Sequence, residues 1–189
     1  MSNNMLKERG VIEIKEKCPF CNRNSLIIRE YECEMPYVGR IFIISTVCEE
    51  CGYVHKSVYP LEEKEACKIE YVIEDEEDLK VRVVKSSTAR IIIPEIGATV
   101  DPGPASQTII TNVEGILDRI KEALLILIEW AEKSEEKKRG LEVLKVLNEA
   151  LEGKRKLTLI IEDPRGVSCI IPPEERKYKL KITKLVLRE

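Results

Sequence analysis

Two pairs of cysteines constrain this chain more than any other feature. Cys18-Pro19-Phe20-Cys21 and Cys48-Glu49-Glu50-Cys51 are both Cys-x-x-Cys, with 26 residues between the pairs. Two intervening residues let both thiolates of a tight turn converge on one ion. Two such turns supply the four soft ligands of tetrahedral zinc. The position after each pair often needs a left-handed backbone, and Asn22 and Gly52, which tolerate it, stand there. The spacer is long enough for a strand, a loop and a returning strand. The pattern therefore predicts a zinc ribbon holding one zinc on Cys18, Cys21, Cys48 and Cys51. A thioredoxin-like redox pair would need a βαβ context and would leave the second pair unexplained. Four protein thiolates close the coordination shell, so the expected zinc is structural and activates no water. Cys33, inside the spacer, is a possible substitute ligand. The simpler expectation is that Cys33, Cys67 and Cys169 are free thiols acting as small hydrophobes.

The rest of the composition excludes more than it suggests. Seven cysteines are an odd number, poor material for a disulfide framework. The first ten residues lack a signal-peptide core, and no run of about 18 apolar residues occurs, so a cytoplasmic location without a membrane span is expected. His55 is the single histidine, so every triad would have to pass through it, and a site of two histidines and a carboxylate is impossible. No Gly-rich phosphate loop is present. The chain is expected not to be an enzyme, although carboxylate acid/base chemistry stays open. Net charge is -3 and the pI is near 5.6. Residues 1–60 are neutral, 61–112 carry -5, 113–152 carry -3 and 153–189 carry +5. That balance argues against the alternative function, a nucleic-acid-binding ribbon of transcription or translation. The acidic run Glu74–Asp78 and the basic C-terminal end are expected to face water, with mutual pairing as the alternative.

Periodicity divides the chain. Leu26–Glu32, Arg40–Val47, Tyr53–Tyr59, Cys67–Ile73, Leu79–Lys85 and Arg90–Ile93 read as strands. Thr111-x-x-Glu114 is a capping-box pattern ahead of a helix from Val113. Ala123–Ile128 is apolar all round, which predicts cover on more than one face, and Trp130 is expected in core or hairpin packing, with an interface anchor as the alternative. A second helix opens at Ser134 and Glu135 and stops at Gly153. Strands return at Leu157–Glu162 and Val167–Ile171, around a type I turn at Asp163-Pro164-Arg165-Gly166. In the last strand Tyr178, Leu180 and Ile182 are expected to face in, with Lys177, Lys179 and Lys181 out. The expected organisation is a zinc ribbon over 1–60 and a β domain over 61–189, with a helical hairpin inserted at about 113–152.

Several segments together resemble the ZPR-type zinc-finger proteins. They are Cys18 through Tyr53, the stretch Asp78-Leu79-Lys80-Val81-Arg82-Val83-Val84-Lys85-Ser86-Ser87-Thr88-Ala89, and Ile93-Pro94-Glu95-Ile96-Gly97. Thr111–Gly115 and Asp163-Pro164-Arg165-Gly166-Val167-Ser168 follow in the same order. With one module, the chain is similar to archaeal members. The resemblance implies a mainly β fold with an α insertion: a zinc ribbon followed by a double-stranded β-helix-like domain carrying the helical hairpin. It also implies a protein-interaction module, a chaperone or assembly factor that binds translation elongation factor one-alpha. Candidate partner contacts are Met35 and Tyr37, at the apolar tip of the ribbon spacer, and Arg82, Lys85 and Ser86. For the last three, local pairing or strand capping is the competing role.

Overall fold

The cysteines need a framework that brings two turns together, and a β meander does so. The computed structural model describes residues 7–35, 39–62, 64–104 and 106–186. In it β1 (Lys7–Glu16), β2 (Leu26–Met35), β3 (Gly39–Cys48) and β4 (Val54–Pro60) form one antiparallel sheet in chain order. The strands β2, β3 and β4 lie where the β-branched and aromatic runs place them. β1 is an addition that the patterning does not announce. It is an edge strand with residues 11–17 all exposed, so main-chain pairing to β2, not a buried face, holds it in place.

The second half is a jelly roll. The strands β5 (Cys67–Ile73), β6 (Arg82–Lys85), β7 (Arg90–Ile93) and β8 (Ala98–Val100) precede the helices, and β9 (Ile109–Asn112) leads into them. After the helices come β10 (Leu157–Asp163), β11 (Cys169–Ile171) and β12 (Leu180–Lys184). One sheet has the order β12-β5-β10-β7-β8 and the other β11-β6-β9. Ile69, Tyr71, Leu159 and Ile161 of the larger sheet meet Val83 and Ile170 of the smaller in one core. Returning to the sheet after the helices, β10 slots between β5 and β7, with Leu159 opposite Tyr71 and Ile161 opposite Ile91.

The helical hairpin, α2 (Val113–Trp130) and α3 (Ser134–Leu151), closes one side of this core. Val113, Ile116, Leu117 and Ile120 of α2 and Leu147 and Ala150 of α3 are buried in it. Each large aliphatic side chain among them contributes about 1.5–3 kcal/mol. The far half of the hairpin departs from expectation. Of the apolar run Ala123–Ile128 only Ile128 is buried, and Leu127 and Trp130 are 64% and 74% exposed. Gly140 lets α3 approach there: a Cβ on it would lie 2.5 Å from Ile128 Cγ1.

Three further expectations are corrected. No strand starts at Leu79; Glu76–Leu79 is a short helix, α1. The Asp75 carboxylate accepts the amides of Glu77 (3.0 Å) and Asp78 (3.2 Å), and the acidic run suits a helix N-terminus. The cap of α2 is Asn112, whose side-chain oxygen accepts the Gly115 amide at 2.8 Å. Thr111 cannot cap, because pairing to β6 keeps the chain extended through Asn112. At the C-terminal end the expected alternation holds for Lys177 and Lys181, which are exposed, and for Leu180, which packs on the core, but it fails at Tyr178 (79% exposed), Ile182 (54% exposed) and the buried Lys179, since 174–179 is a 3-10 helix and the strand begins only at Leu180. The reason is charge. Lys179 Nζ reaches Asp78 (2.6 Å) and Glu74 (3.1 Å), while Arg176 reaches Asp75 and Asp78 (both 2.7 Å). The acidic run and the basic end therefore pair with each other; they do not simply face water.

Candidate metal centre

The ribbon brings its cysteines together by two near-equivalent turns. In the first, the Cys18 amide donates to Arg23 O (2.8 Å) and the Asn22 amide to Cys18 O (2.9 Å). In the second, the Cys48 amide donates to Tyr53 O (2.8 Å) and the Gly52 amide to Cys48 O (3.0 Å). Asn22 (φ +59°) and Gly52 (φ +73°) are both left-handed, as the sequence predicts. The Glu49 amide donates to Ser25 O at 3.0 Å and ties one turn to the other. Phe20 and Tyr53 stack with ring centroids 4.4 Å apart, and Arg23 pairs with Glu50 across the two turns.

The four sulfurs lie within 4.8 Å of one another. Cys18 Sγ is 3.7 Å from Cys51 Sγ, and Cys21 Sγ is 3.7 Å from Cys48 Sγ. A zinc tetrahedron with Zn–S of about 2.3 Å requires sulfurs about 3.8 Å apart, so the donor set fits one zinc ion. Cys18 and Cys48 are buried while Cys51 is exposed, which places the centre at the end of the finger. The sequence reading missed Ser25. Its hydroxyl lies 3.2 Å from Cys48 Sγ and, with the Cys51 amide, draws that thiol down to about 6, toward the thiolate that zinc requires. Among the described residues no other group of His, Cys, Asp or Glu could hold a metal ion. Cys33 is not a ligand. With Ile41 and Ile43 it packs against Val84, Val167 and Cys169, an apolar seam that docks the ribbon on the jelly roll.

The other candidate residues separate. Met35 ends β2, and Tyr37 lies outside the described residues. Arg82 is exposed at the start of β6, whereas Lys85 and Ser86 are buried. Ser86 is committed to an internal knot around the Asp163 carboxylate. Asp163 Oδ1 accepts from Ser86 Oγ (2.9 Å), Thr88 Oγ1 (3.0 Å) and the Arg165 amide (3.0 Å). Oδ2 accepts from the Val167 amide (2.9 Å) and from the amide and hydroxyl of Ser168 (both 2.7 Å). Burial by itself would raise this carboxyl, but those donors, led by the Ser168 hydroxyl, hold it below the usual carboxylate range. The Ser86 amide in turn donates to Ser168 Oγ at 2.9 Å. Two distant motifs, Val84–Thr88 and Asp163–Ser168, are thus one structural feature, with the 163–166 turn formed as expected (Gly166 amide to Asp163 O, 3.2 Å).

Comparison with known proteins agrees with this architecture. Residues 10–65 match the ZPR1 zinc-finger domain and residues 77–187 the ZPR1 jelly-roll domain. An uncharacterised ZPR1-like protein of Methanocaldococcus jannaschii is 41% identical over 82% of this chain and 78% of its own length. One of Pyrococcus horikoshii is 37% identical over 93% of this chain and 81% of its own. The zinc finger chaperone zpr1 of Schizosaccharomyces pombe is 31% identical over 81% of this chain, which spans 34% of that protein. With both domains matched in order and the four thiols set for one zinc, the chain belongs to the ZPR1 zinc-finger family.

Proposed function

We propose that this chain is a non-enzymatic protein-binding module, a chaperone or assembly factor whose client is translation elongation factor one-alpha. The observation that carries the reading is the match of ribbon and jelly roll together to a fission-yeast protein named a zinc finger chaperone. Three features support it. The metal centre has a full set of four thiolates, so the ion shapes the finger without offering a position to substrate. The buried Asp163 carboxylate is saturated with six hydrogen bonds and kept ionised, a poor state for acid/base work. The client is the one implied by the Val-Lys-Ser-Ser and Pro-Glu-Ile-Gly segments. Arg82 and the ribbon tip at Met35 and Tyr37 are the candidate contacts on our reading.

The test is direct titration of the zinc-loaded chain with purified archaeal elongation factor one-alpha, in GDP and GTP states, followed by a refolding assay of the denatured factor. We expect saturable binding and a higher yield of active factor. Absence of both in either nucleotide state would overturn the proposal, and a steeply salt-dependent affinity for RNA would favour the nucleic-acid reading.

A further inference from the structure

Among the described residues, Lys85 is the one buried charged side chain of the jelly roll that belongs to neither the Asp78 nor the Asp163 hydrogen-bond network. It is 6% exposed, and its ammonium donates to Ser106 Oγ at 3.0 Å. Among the described residues no carboxylate lies within ion-pair distance of it. A buried ammonium on a single neutral hydroxyl is under-compensated. It opens onto a cavity of about 390 Å³, also lined by Arg119, Gln107 and Ser106, with aliphatic walls from Ile109 and Ile116. The volume is that of an ordinary ligand pocket. The charged groups facing Lys85 are Asp163, which attracts it from a distance, and Arg119, which repels it. Asp163 does not line the cavity, and a largely apolar cavity lined by two cations and no carboxylate calls for an anion.

The cavity does not end there. Val100, Ile120 and Ala123 also line a second groove of about 640 Å³, which runs between Ile96–Val100 and the outer half of the hairpin to Trp130. One wall of that groove is β8, the terminal strand of its sheet, so among the described residues one side of its main chain has no strand neighbour. An apolar channel flanked by a free strand edge suits an extended peptide, which main-chain hydrogen bonds can align and alternate side chains can anchor. A hydrocarbon chain would make no use of that edge.

We propose that this channel binds an extended segment of a partner protein bearing a carboxylate among aliphatic side chains, with the carboxylate on Lys85 and Arg119 and the main chain along β8. The proposal rests on the protein-binding reading above and gives that reading a site.

The probe is a fluorescein-labelled short peptide with one glutamate among valines and threonines, paired with its glutamine twin. Both are titrated against the zinc-loaded full chain. A charge-assisted hydrogen bond of about 1.5–3 kcal/mol predicts that the glutamate peptide binds about ten- to a hundredfold more tightly. Lys85→Met keeps the aliphatic stem and should abolish the difference between the twins. Arg119→Glu, at an exposed position on α2, should weaken the glutamate peptide selectively. Equal affinity for the twins, or discrimination that survives either substitution, would overturn the proposal. So would binding of decanoate without binding of peptide, which would make the cavity a fatty-acid site. The peptides are measured without elongation factor, so failure here leaves client binding standing, and loss of client binding leaves this site to be judged on the peptides.

Discussion

Removing the Asp78 carboxylate should be among the most damaging single changes outside the metal centre. Asp78 is fully buried and accepts from Lys179 Nζ (2.6 Å), Tyr71 Oη (2.7 Å), Arg176 Nη1 (2.7 Å) and the Glu74 amide (2.9 Å). In Asp78→Ala the Tyr71 hydroxyl loses its acceptor, and Lys179, buried, keeps Glu74 at 3.1 Å as its near partner. Breaking one side of a buried charge pair costs about 3–5 kcal/mol. With a urea slope of about 2–3 kcal/mol per molar, a loss of about 4 kcal/mol lowers the unfolding midpoint by roughly 1.3–2 M. Lys179→Met should cost less, about 1.5–3 kcal/mol, because Asp78 retains Arg176, Tyr71 and a backbone amide. The double variant should be less destabilised than the two singles combined, since Asp78→Ala no longer strands a buried ammonium. Burial would raise the Asp78 carboxyl, but Lys179, Tyr71, the Glu74 amide and Arg176 outweigh it and depress it strongly. A depressed folded pKa means its stabilisation is fully present above the unfolded value of about 3.9 and is lost as pH falls from there toward the folded pKa. Wild-type stability should thus fall below about pH 4, and less steeply in Asp78→Ala. Chemical denaturation with zinc in excess, repeated across pH, measures all of this. A midpoint shift under about 0.5 M, or strict additivity in the cycle, would refute the reasoning.

Purified protein should contain one zinc per chain by elemental analysis. Chelation should release amide protection across residues 7–60 while β5–β12 stay protected; equal loss in both halves would contradict a separately clamped finger. Gly166→Ala should lower the melting temperature by several degrees, because Gly166 has φ +66° and a Cβ there would lie 2.1 Å from Glu65 O. An unchanged melting temperature would show that the 64–66 segment yields freely. The Cys169 thiol, pushed up to about 12 by burial, should resist iodoacetamide at pH 8 until the chain unfolds. Modification of the native protein at that residue would place Cys169 outside the seam between ribbon and jelly roll.

The local elements were legible in the sequence where one short-range rule dominates. The two knuckles follow from the Cys-x-x-Cys spacing with Asn22 and Gly52 behind it. The helical hairpin follows from its apolar period, and the 163–166 turn from Pro164 and Gly166. The jelly-roll assignment came from resemblance, because the placement of β10 between β5 and β7 is a pairing across some ninety residues in one direction and seventy in the other. Where the local rules failed, a distant partner had overruled them. β6 held Thr111 extended and moved the helix cap to Asn112. Asp78 drew Lys179 inward against the strand pattern. The opposite charges of residues 61–112 and 153–189 were the one available signal for that pairing, but surface solvation was the commoner outcome for such runs.

By itself, then, the amino-acid order determined the four thiols set for zinc, the two knuckles, the helical hairpin and the 163–166 turn, since these depend on spacings of two to four residues. Only the tertiary structure decided that Ser86 and Asp163 form one knot, that Lys85 faces a cavity, and that Leu127 and Trp130 lie in the open. Each of those facts depends on which distant side chain arrives at a given place, and burial and electrostatic pairing at long range are properties of the packed chain and not of any short stretch of it.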